Sequence, residues 1–320
     1  MTAVAFFLIP VSLLSSIEGT KVMYSFSNRR GRGTLARTIY NRVLEDEQHR
    51  HDNHSYWYFV KRSNLPADLC DSFLQLDQDS ETMDFLENCY EKSDWVFMQI
   101  YHSVAKSLLS WFMENTSING WLGRGSMFVF SRSQFTQLLD IDEDWKEESL
   151  LDLGAGDGEV TKMMAPYFNH IYATETSKPM VKRLNDKGYR VLDVESWDDG
   201  SISFDLVSCL NLLDRCDKPL SILHSIKKVL KPGGHVIVAV VLPFEPYVEF
   251  GPDNKPTEKI ELKGHTFEEQ SVSLVRDVFE PAGFSLVRFT RVPYLCEGDL
   301  ETSFYVLDDA LFVLKLSEKG

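Results

Sequence analysis

A glycine-rich turn between residues 152 and 159 carries the residue types that most directly suggest chemistry. Its glycines alternate with other residues: Gly154, Gly156 and Gly158. Its acidic residues are Asp152, Asp157 and Glu159. A turn that binds a dinucleotide has the longer spacing G-x-G-x-x-G, and carboxylates repel a pyrophosphate. Carboxylates suit a ligand with a cationic amine, a sulfonium and ribose hydroxyls, so the turn predicts S-adenosylmethionine, with Asp152, Gly154 and Gly156 in its binding site.

A second acidic position supports the same ligand. Glu175 follows the next predicted strand, about 20 residues after the glycine turn, where nucleotide-binding folds place a carboxylate on the ribose hydroxyls. The alternative is an exposed glutamate in an ordinary turn. We expect Glu175 to bind the ribose of the cofactor.

Polar residues also end a continuous apolar run at 204–210, which predicts a central strand. Asn211 and Asp214 come directly after it. In an open parallel sheet, ligands bind beyond the carboxyl ends of the strands. Asn211 and Asp214 are therefore predicted to handle the substrate, although Asp214 and Arg215 could instead form a helix cap and a salt bridge.

An arginine between two glycines, Arg124, precedes another apolar run. We expect this loop to be a lid over the cofactor, with Arg124 facing the methionine carboxylate. An ordinary turn is the alternative.

The elements that position these residues follow an alternating strand and helix pattern. Strands are predicted at 149–152, 170–174, 190–194, 204–210, 235–241, 284–290 and 310–316. Helices are predicted at 159–167, 180–187, 218–230 and 267–282. This order predicts an α/β fold of the seven-stranded class I (Rossmann-like) S-adenosylmethionine-dependent methyltransferase type, antiparallel only at the seventh strand, with an N-terminal helical extension. Polar insertions are predicted at 243–263 and 294–309, both at the active-site edge.

The chain divides into four predicted parts. Residues 1–20 hold an apolar targeting or anchoring segment, too short to span a membrane stably; a helix packed on the fold is the alternative. Residues 21–66 are predicted to be polar, solvated and partly mobile, 67–147 to be a helical lead-in with the lid loop, and 148–320 to be the methyltransferase domain. The endoplasmic reticulum is the expected compartment, with mitochondrion and cytoplasm as alternatives.

Composition limits the partners. The net charge is −15, from 33 Lys and Arg against 48 Asp and Glu. A surface this acidic repels phosphate backbones, so no nucleic-acid substrate is expected. The five cysteines form no C-x-x-C pair, so neither a zinc site nor a disulfide framework is predicted.

Several motifs outside the glycine turn resemble one family. They read SINGWLGRGSMFVFS (117–131), LLDLGAGDGEVTK (150–162), IYATE (171–175), SCLNLLDRCD (208–217), PYLCEGD (293–299) and FYVLDDA (304–310). This stretch, from about residue 80 to the carboxyl terminus, is similar to the DREV family of methyltransferase-like proteins. The resemblance implies a protein-histidine methyltransferase that places a methyl group on the pros nitrogen of histidine in His-x-His sequences of protein substrates.

The resemblance also implies roles for particular residues. Asn211 and Tyr294 would contact the amino-acid end of the cofactor, and Asp214 and Tyr305 would hold the substrate imidazole. At Phe304 the family can have a second tyrosine, so peptide binding is expected to differ there. A small-molecule methyltransferase is the nearest alternative, and a non-catalytic binding protein that kept the fold is a more distant one.

Overall fold

A computed structural model describes residues 35–95, 97–99, 101–102, 122, 125–248 and 252–317. Its strands form one eight-stranded sheet. They are β1 (Met127–Phe128), β2 (Glu147–Leu153), β3 (Phe168–Thr174), β4 (Arg190–Leu192), β5 (Phe204–Leu210), β6 (Leu230–Val241), β7 (Phe284–Glu297) and β8 (Phe304–Leu316). The spatial order is β1-β7-β8-β6-β5-β2-β3-β4.

Helices connect and flank the strands. They are α1 (Leu35–His49), α2 (Ala67–Ser72), α3 (Ser80–Asp94), α4 (Arg132–Leu139), α5 (Thr161–Met164), α6 (Lys178–Asp186), α7 (Pro219–Val229) and α8 (Phe267–Ser273). A π-helix, Leu274–Phe279, continues α8. Capping boxes begin two of them: Ser131 with Gln134 at α4, and Thr266 with Glu269 at α8.

The topology confirms the predicted fold class. Strands β4, β3, β2, β5 and β6 pair in parallel, and β8 is antiparallel to both β6 and β7. Most residues of the central strands β2 and β5 are buried, and their apolar side chains belong to two hydrophobic clusters. The strand count differs from the prediction by one: β1, which follows the predicted lid loop, pairs antiparallel with the outer edge of β7.

The prediction of a polar insertion at 294–309 is wrong. These residues extend β7 and β8 into a long hairpin, in which Tyr294 pairs with Leu307 and Glu297 with Phe304. Only the turn between Glu297 and Phe304 lies outside the two strands. The acidic and aromatic side chains of this segment do not form a pattern that predicts a strand. The strands form nonetheless, because backbone N–H and C=O groups pair regardless of side-chain polarity.

The structure also differs from the prediction of a solvated segment before residue 67. Helix α1 occupies part of it, and Trp57, Tyr58 and Val60 are buried. Trp57 and Tyr58 share one hydrophobic cluster with Ile237 of the sheet. The described part of the N-terminal extension therefore packs into the same core as the strands.

The extension also holds the β7–β8 hairpin. Phe304 contacts the rings of Trp57 and Tyr90, and Ser303 donates a hydrogen bond of 2.7 Å to Asp46 of α1. Lys92 of α3 forms a 3.0 Å salt bridge with the buried Glu297. The hairpin that carries Tyr294 and Tyr305 is thus fixed from outside the sheet.

Two predictions fall outside the described residues: the apolar segment 1–20 and Arg124 at the tip of the predicted lid. None of the helices in the described part of the chain is both long and apolar enough to cross a membrane.

Candidate active site

The glycine turn follows β2 and adopts a backbone that side chains would strain. Gly154, Gly156 and Gly158 all have positive φ, of 69°, 56° and 77°. The end of β3 holds the turn: Thr174 Oγ1 accepts a 3.2 Å hydrogen bond from the Gly154 N–H, and its carbonyl accepts one of 3.1 Å from Ala155. The turn is therefore formed by contacts within the chain.

The three glycines have different surroundings. A Cβ at Gly158 would lie 2.8 Å from Leu184 of α6, so this glycine is required for packing. A Cβ at Gly154 would lie 3.2 Å from Leu212, in the segment after β5. A Cβ at Gly156 would meet nothing within 4 Å. Gly156 therefore borders open space, where a ligand can approach the backbone.

Glu175 is oriented by the turn itself. Its Oε2 accepts a 3.0 Å hydrogen bond from the Gly156 N–H, and its Oε1 accepts bonds of 2.8 Å from the N–H groups of Thr176 and Ser177. The half-buried carboxylate stands beside the open side of the turn with further lone pairs available. This arrangement fits the predicted role of accepting hydrogen bonds from ribose hydroxyls.

Asp152 lies beneath the turn and contacts protein groups. Its carboxylate is buried and accepts hydrogen bonds from Thr161 Oγ1, at 2.5 Å, and Ser208 Oγ, at 2.7 Å. Burial raises the pKa of Asp152 to about 6, against the lowering effect of these two bonds. Asp152 thus ties β2 to α5 and β5, while its predicted contact with the cofactor stays a prediction.

Asn211 lies where β5 ends, next to the glycine turn. Its φ is 53°, and its N–H donates to the carbonyl of Ala239 at 3.0 Å. Its side chain donates from Nδ2 to Oδ2 of Asp309 on β8, at 2.8 Å. The neighbouring Leu212 packs against Gly154. Two of the predicted site segments, the glycine turn and 211–214, are therefore brought together.

Asp214 is buried, with 3% of its surface exposed. Its Oδ2 lies 3.1 Å from Arg215 Nε, while its Oδ1 has no hydrogen-bond partner in the part of the chain that the structure describes. Burial raises the pKa of Asp214, and the Arg215 guanidinium opposes that rise. The salt bridge offered as the alternative reading therefore exists, but it uses only one of the two carboxylate oxygens.

Asp309 was not among the predicted site residues. It is fully buried, and burial together with the nearby carboxylate of Asp214 raises its pKa to about 8. In the structure it lies within β8, whereas the predicted strand began one residue later, at 310, and a charged residue inside a buried strand is costly to bury. The erroneous assignment of 294–309 to an insertion concealed this position.

Three buried oxygens meet at this end of the sheet without a partner among the described residues: Asn211 Oδ1, Asp214 Oδ1 and Asp309 Oδ1. Buried polar atoms are normally paired, so a ligand that donates hydrogen bonds to Asn211 Oδ1 and Asp214 Oδ1 fits here. The methionine ammonium of the predicted cofactor and an imidazole N–H are such donors. With the open side of Gly156 and the oriented Glu175, the residues present fit S-adenosylmethionine.

The two predicted tyrosines lie on β7 and β8. Tyr294 donates from its hydroxyl to Met127 Sδ at 2.6 Å, and burial, followed by the nearby Cys296, Asp309 and Asp214, raises its pKa. Tyr305 donates to Asp299 Oδ2 at 2.9 Å, in the hairpin turn. The structure thus brings Tyr294 near the buried carboxyl groups, whereas the hydrogen bond of Tyr305 points to the hairpin turn and not to Asp214.

A cavity of about 360 Å³ lies elsewhere, lined by Trp145, Glu147, Asp205 and Gly234 among others. It contains none of the predicted site residues, so the chemistry is assigned to the rim beside the glycine turn.

Comparison with models of protein families shows the family to which this chain belongs. The model of the DREV methyltransferase family matches residues 57–316. This chain belongs to the DREV methyltransferase family. As a methyltransferase of this fold it takes S-adenosylmethionine as its methyl donor, which confirms the cofactor prediction. The match begins at Trp57, so it includes part of the segment that we expected to be solvated.

Curated relatives share a shorter stretch. A ubiquinone biosynthesis O-methyltransferase of Alkalilimnicola ehrlichii is 33% identical over 101 residues, which are 29% of this chain and 41% of that protein. One of Aliivibrio fischeri is 29% identical over 103 residues, which are 29% of this chain and 44% of that protein. The chain thus spans about two-fifths of the length of these relatives.

Solved structures show more distant similarity. The complex of DhpI with SAH has 14% identity and a TM-score of 0.38, covering 69% of this chain and 96% of that one. A methyltransferase bound to the Trm112 activator of Haloferax volcanii has 16% identity and a TM-score of 0.40, covering 58% and 89%. The strand order above, rather than these scores, carries the fold assignment.

Proposed function

We propose that this chain is a protein-histidine methyltransferase that forms pros-methylhistidine in His-x-His sequences. The observation that carries the proposal is the carboxylate of Asp214, buried at the rim beside the glycine turn, with Oδ1 facing no protein donor within the described residues. An imidazole N–H is a donor of the right type for this oxygen. The family affiliation and the acidic net charge of −15 support the same substrate class.

Methyl transfer to a histidine side chain needs no strong base. A histidine side chain has an unperturbed pKa of about 6.5, so near neutral pH most of it is already neutral and nucleophilic. The harder task is to choose one ring nitrogen. Asp214 accepts the tele N–H, which leaves the lone pair of the pros nitrogen free and stabilises the positive charge that develops on the ring.

S-adenosylmethionine, when bound, supplies a methyl group on a sulfonium, whose sulfur keeps the electron pair of the broken bond. The chain's own residues then act by position. Glu175 orients the ribose, Gly154 and Gly156 admit the cofactor, and Asn211 and Tyr294 contact its amino-acid end. In this proposal Asp152 supports the turn from below, Arg124 faces the methionine carboxylate, and Tyr305 steadies the substrate ring. Holding nitrogen, carbon and sulfur in line provides much of the remaining rate enhancement.

A second candidate is a small-molecule methyltransferase. The local identity of 33% to a ubiquinone biosynthesis O-methyltransferase favours it. A hydroxyl acceptor must lose its proton during transfer, and the buried Asp214 would then serve as the base. Against it, the turn of the β7–β8 hairpin is acidic, with Asp299 and Glu301, and suits a polar peptide better than an apolar molecule.

The test is incubation with methyl-labelled cofactor and either a His-Ala-His peptide or a panel of small hydroxyl acceptors. Amino-acid analysis then separates the two methylhistidine isomers. We expect label in the pros isomer only. Label in the tele isomer would contradict the role of Asp214, and label in a hydroxyl acceptor alone would replace the proposal with the second candidate. An Ala-Ala-Ala peptide of matched length is the control.

We also propose the endoplasmic reticulum as the compartment, on the basis of the apolar segment 1–20. The sequon Asn53-His54-Ser55 offers a readout, because the side chain of Asn53 is exposed. If the chain enters this compartment, Asn53 becomes glycosylated and endoglycosidase treatment increases electrophoretic mobility. An unchanged mobility with Asn53→Gln as the control would favour the mitochondrion or the cytoplasm.

A further inference from the structure

Asp309 is a buried residue beside the candidate site that has no role in the proposed function. Its fully buried carboxyl group lies on β8 and accepts the 2.8 Å hydrogen bond from Asn211 Nδ2. Backbone pairing with Val241 of β6 holds it in register at the carboxyl end of the sheet. We propose that Asp309 is a positioning residue of the cofactor site, which orients the Asn211 amide so that Oδ1 of Asn211 faces the bound S-adenosylmethionine.

The need for such a residue follows from the amide group. An asparagine side chain presents a donor at one end and an acceptor at the other, and a half-turn exchanges them. With Nδ2 engaged by Asp309, the oxygen is the end left for a ligand, and it has no partner among the described residues. In the reversed orientation an N–H would face the cationic amine of the cofactor, and two donors repel. Asp309 therefore selects the orientation that can bind a cation.

Asp309 also sits among other ionisable groups, and these set the charge of the site. They are Asp214 and Arg215 after β5, Tyr294 and Cys296 on β7, and Asp308 on β8. Burial first, then the charges of Asp214 and Asp308, raises the pKa of Asp309 to about 8. The carboxyl group is therefore largely neutral at neutral pH and becomes charged just above it. Its Oδ2 accepts the Asn211 bond in either state.

Ionisation of Asp309 should change the ratio of the affinities for two related ligands. S-adenosylmethionine and S-adenosylhomocysteine share the amino-acid end and differ by the positive charge on sulfur. Their affinity ratio therefore cancels the titration of the shared groups. As the pH rises through about 8, ionisation of Asp309 should favour the sulfonium by a few-fold. The effect requires Asp309 to lie near the bound cofactor, so a merely structural residue would not produce it.

The experiment measures Kd for both compounds by calorimetry at about pH 6.5 and about pH 9, on either side of the range in which buried carboxyls titrate. Asp309→Leu removes the acceptor, and Asp309→Asn keeps an acceptor oxygen but cannot ionise. We expect Asp309→Leu to weaken S-adenosylmethionine binding about tenfold, the usual effect of a lost buried hydrogen bond. We expect Asp309→Asn to bind within about threefold of the wild type and to lose the pH dependence of the ratio.

A double-mutant cycle shows whether Asp309 acts through Asn211. In an Asn211→Ala background, Asp309→Leu should cause almost no further loss of affinity. Asp308→Asn is the matched control: it removes the same charge from the adjacent residue, whose carboxylate pairs with Arg291 at 2.6 Å. Its affinity ratio should still change with pH, with the change displaced to slightly lower pH because one of the charges that raise the pKa of Asp309 is removed.

The proposal is overturned if Asp309→Leu binds the cofactor as the wild type does, if its effect is fully additive with Asn211→Ala, or if the wild-type ratio does not change with pH. Should Asp309→Leu fail to fold, the pH dependence of the affinity ratio, measured in the wild type and in Asp309→Asn, still tests the proposal. The inference deepens the proposed function because it concerns the same site. Both binding measurements omit the peptide, so a failure to methylate histidine would not be confused with a failure of this inference.

Discussion

Around the glycine turn, the chain satisfies its own polar groups: Gly156 donates to Glu175, Gly154 donates to Thr174, and Asp152 accepts from Thr161 and Ser208. The segment after the neighbouring strand β5 differs, because some of its buried polar groups are left without a hydrogen-bond partner. Asn211, Asp214 and Asp309 each keep a buried oxygen without a partner in the described structure. The first region is preorganised, whereas the second is complete only with a ligand present.

This contrast explains why the two regions tolerate change differently. Loss of a group in the turn damages the fold as well as the site, because those contacts join β2, β3, β5 and α5. Loss of an unpartnered oxygen costs the folded protein little, since a buried polar group without a partner destabilises it. The four predictions below test this difference, beginning with the largest effect.

Asp214→Asn should lower kcat on a His-Ala-His peptide by about 100-fold or more, the usual range for a residue that directs proton position in the transition state. The amide can no longer stabilise the developing imidazolium charge. Calorimetry should show S-adenosylmethionine binding close to that of the wild type. A variant with wild-type turnover would show that Asp214 does not select the nitrogen.

Gly158→Ala and Gly156→Ala should separate folding from binding within the turn. Both place a side chain at positive φ, a strain of about 1–2 kcal/mol. At Gly158 the new methyl group would also meet Leu184 at 2.8 Å, so we expect the larger loss of Tm there. At Gly156 no protein atom lies within 4 Å, so the methyl group should mainly obstruct the cofactor.

The measurements are thermal unfolding without ligand and Kd for S-adenosylmethionine. We expect Gly156→Ala to lose affinity by about tenfold, as one displaced contact would cause. Equal losses of Tm in the two variants, with equal affinities, would show that the open side of Gly156 does not face the cofactor.

Asp309→Asn should raise Tm, and more at alkaline than at acid pH. The folded-state pKa of Asp309 is raised to about 8, so between the unfolded-state value and about 8 the folded protein holds a proton that the unfolded chain releases. Stability therefore falls as the pH rises through this window. An amide has no proton to lose and escapes the fall.

A gain of roughly 2 °C or more at pH 8 corresponds to about 1 kcal/mol for a domain of this size. Unfolding scans at pH 5 and pH 8 with Asp308→Asn as the control give the comparison. A variant that is less stable than the wild type at both pH values would mean that the Asp309 carboxylate stabilises the fold.

Tyr305→Phe should have the smallest effect, a rise in KM for the peptide of about two- to fivefold, because a single hydrogen bond in a solvent-accessible position is lost. The hydroxyl donates to Asp299 in the hairpin turn and not to Asp214. Steady-state kinetics with the same peptide gives the value. A large fall in kcat with unchanged KM would show that Tyr305 moves to the substrate ring during the reaction.

Features that depend on neighbouring residues could be predicted from the sequence. The glycine spacing and the acid at Glu175 follow from local chain order, and both lie as expected at the ends of β2 and β3. Asn211 and Asp214 were found because the apolar run of β5 ends immediately before them. Their roles in catalysis stay predictions, as do those of Tyr294, Tyr305 and Arg124.

Features that depend on distant partners could not be predicted in this way. The hairpin at 294–309 contains polar and charged residues, and only its pairing partner and the support of Trp57 and Lys92 make it a strand. For the same reason Asp309 was overlooked, since nothing in its immediate sequence shows that Asn211 lies opposite its side chain.

The amino-acid sequence alone therefore determined the fold class, the methyl donor and the segments that border the candidate site, because glycine conformation, strand periodicity and strand ends are local properties. Tertiary structure decided that Asn211, Asp214 and Asp309 share one buried corner, that the hairpin is anchored on the N-terminal extension, and that Gly158 serves packing while Gly156 stays open. Burial and pairing depend on residues that are two hundred or more positions apart, as in the contacts between Lys92 and Glu297 and between Asp46 and Ser303, and only folding brings these together.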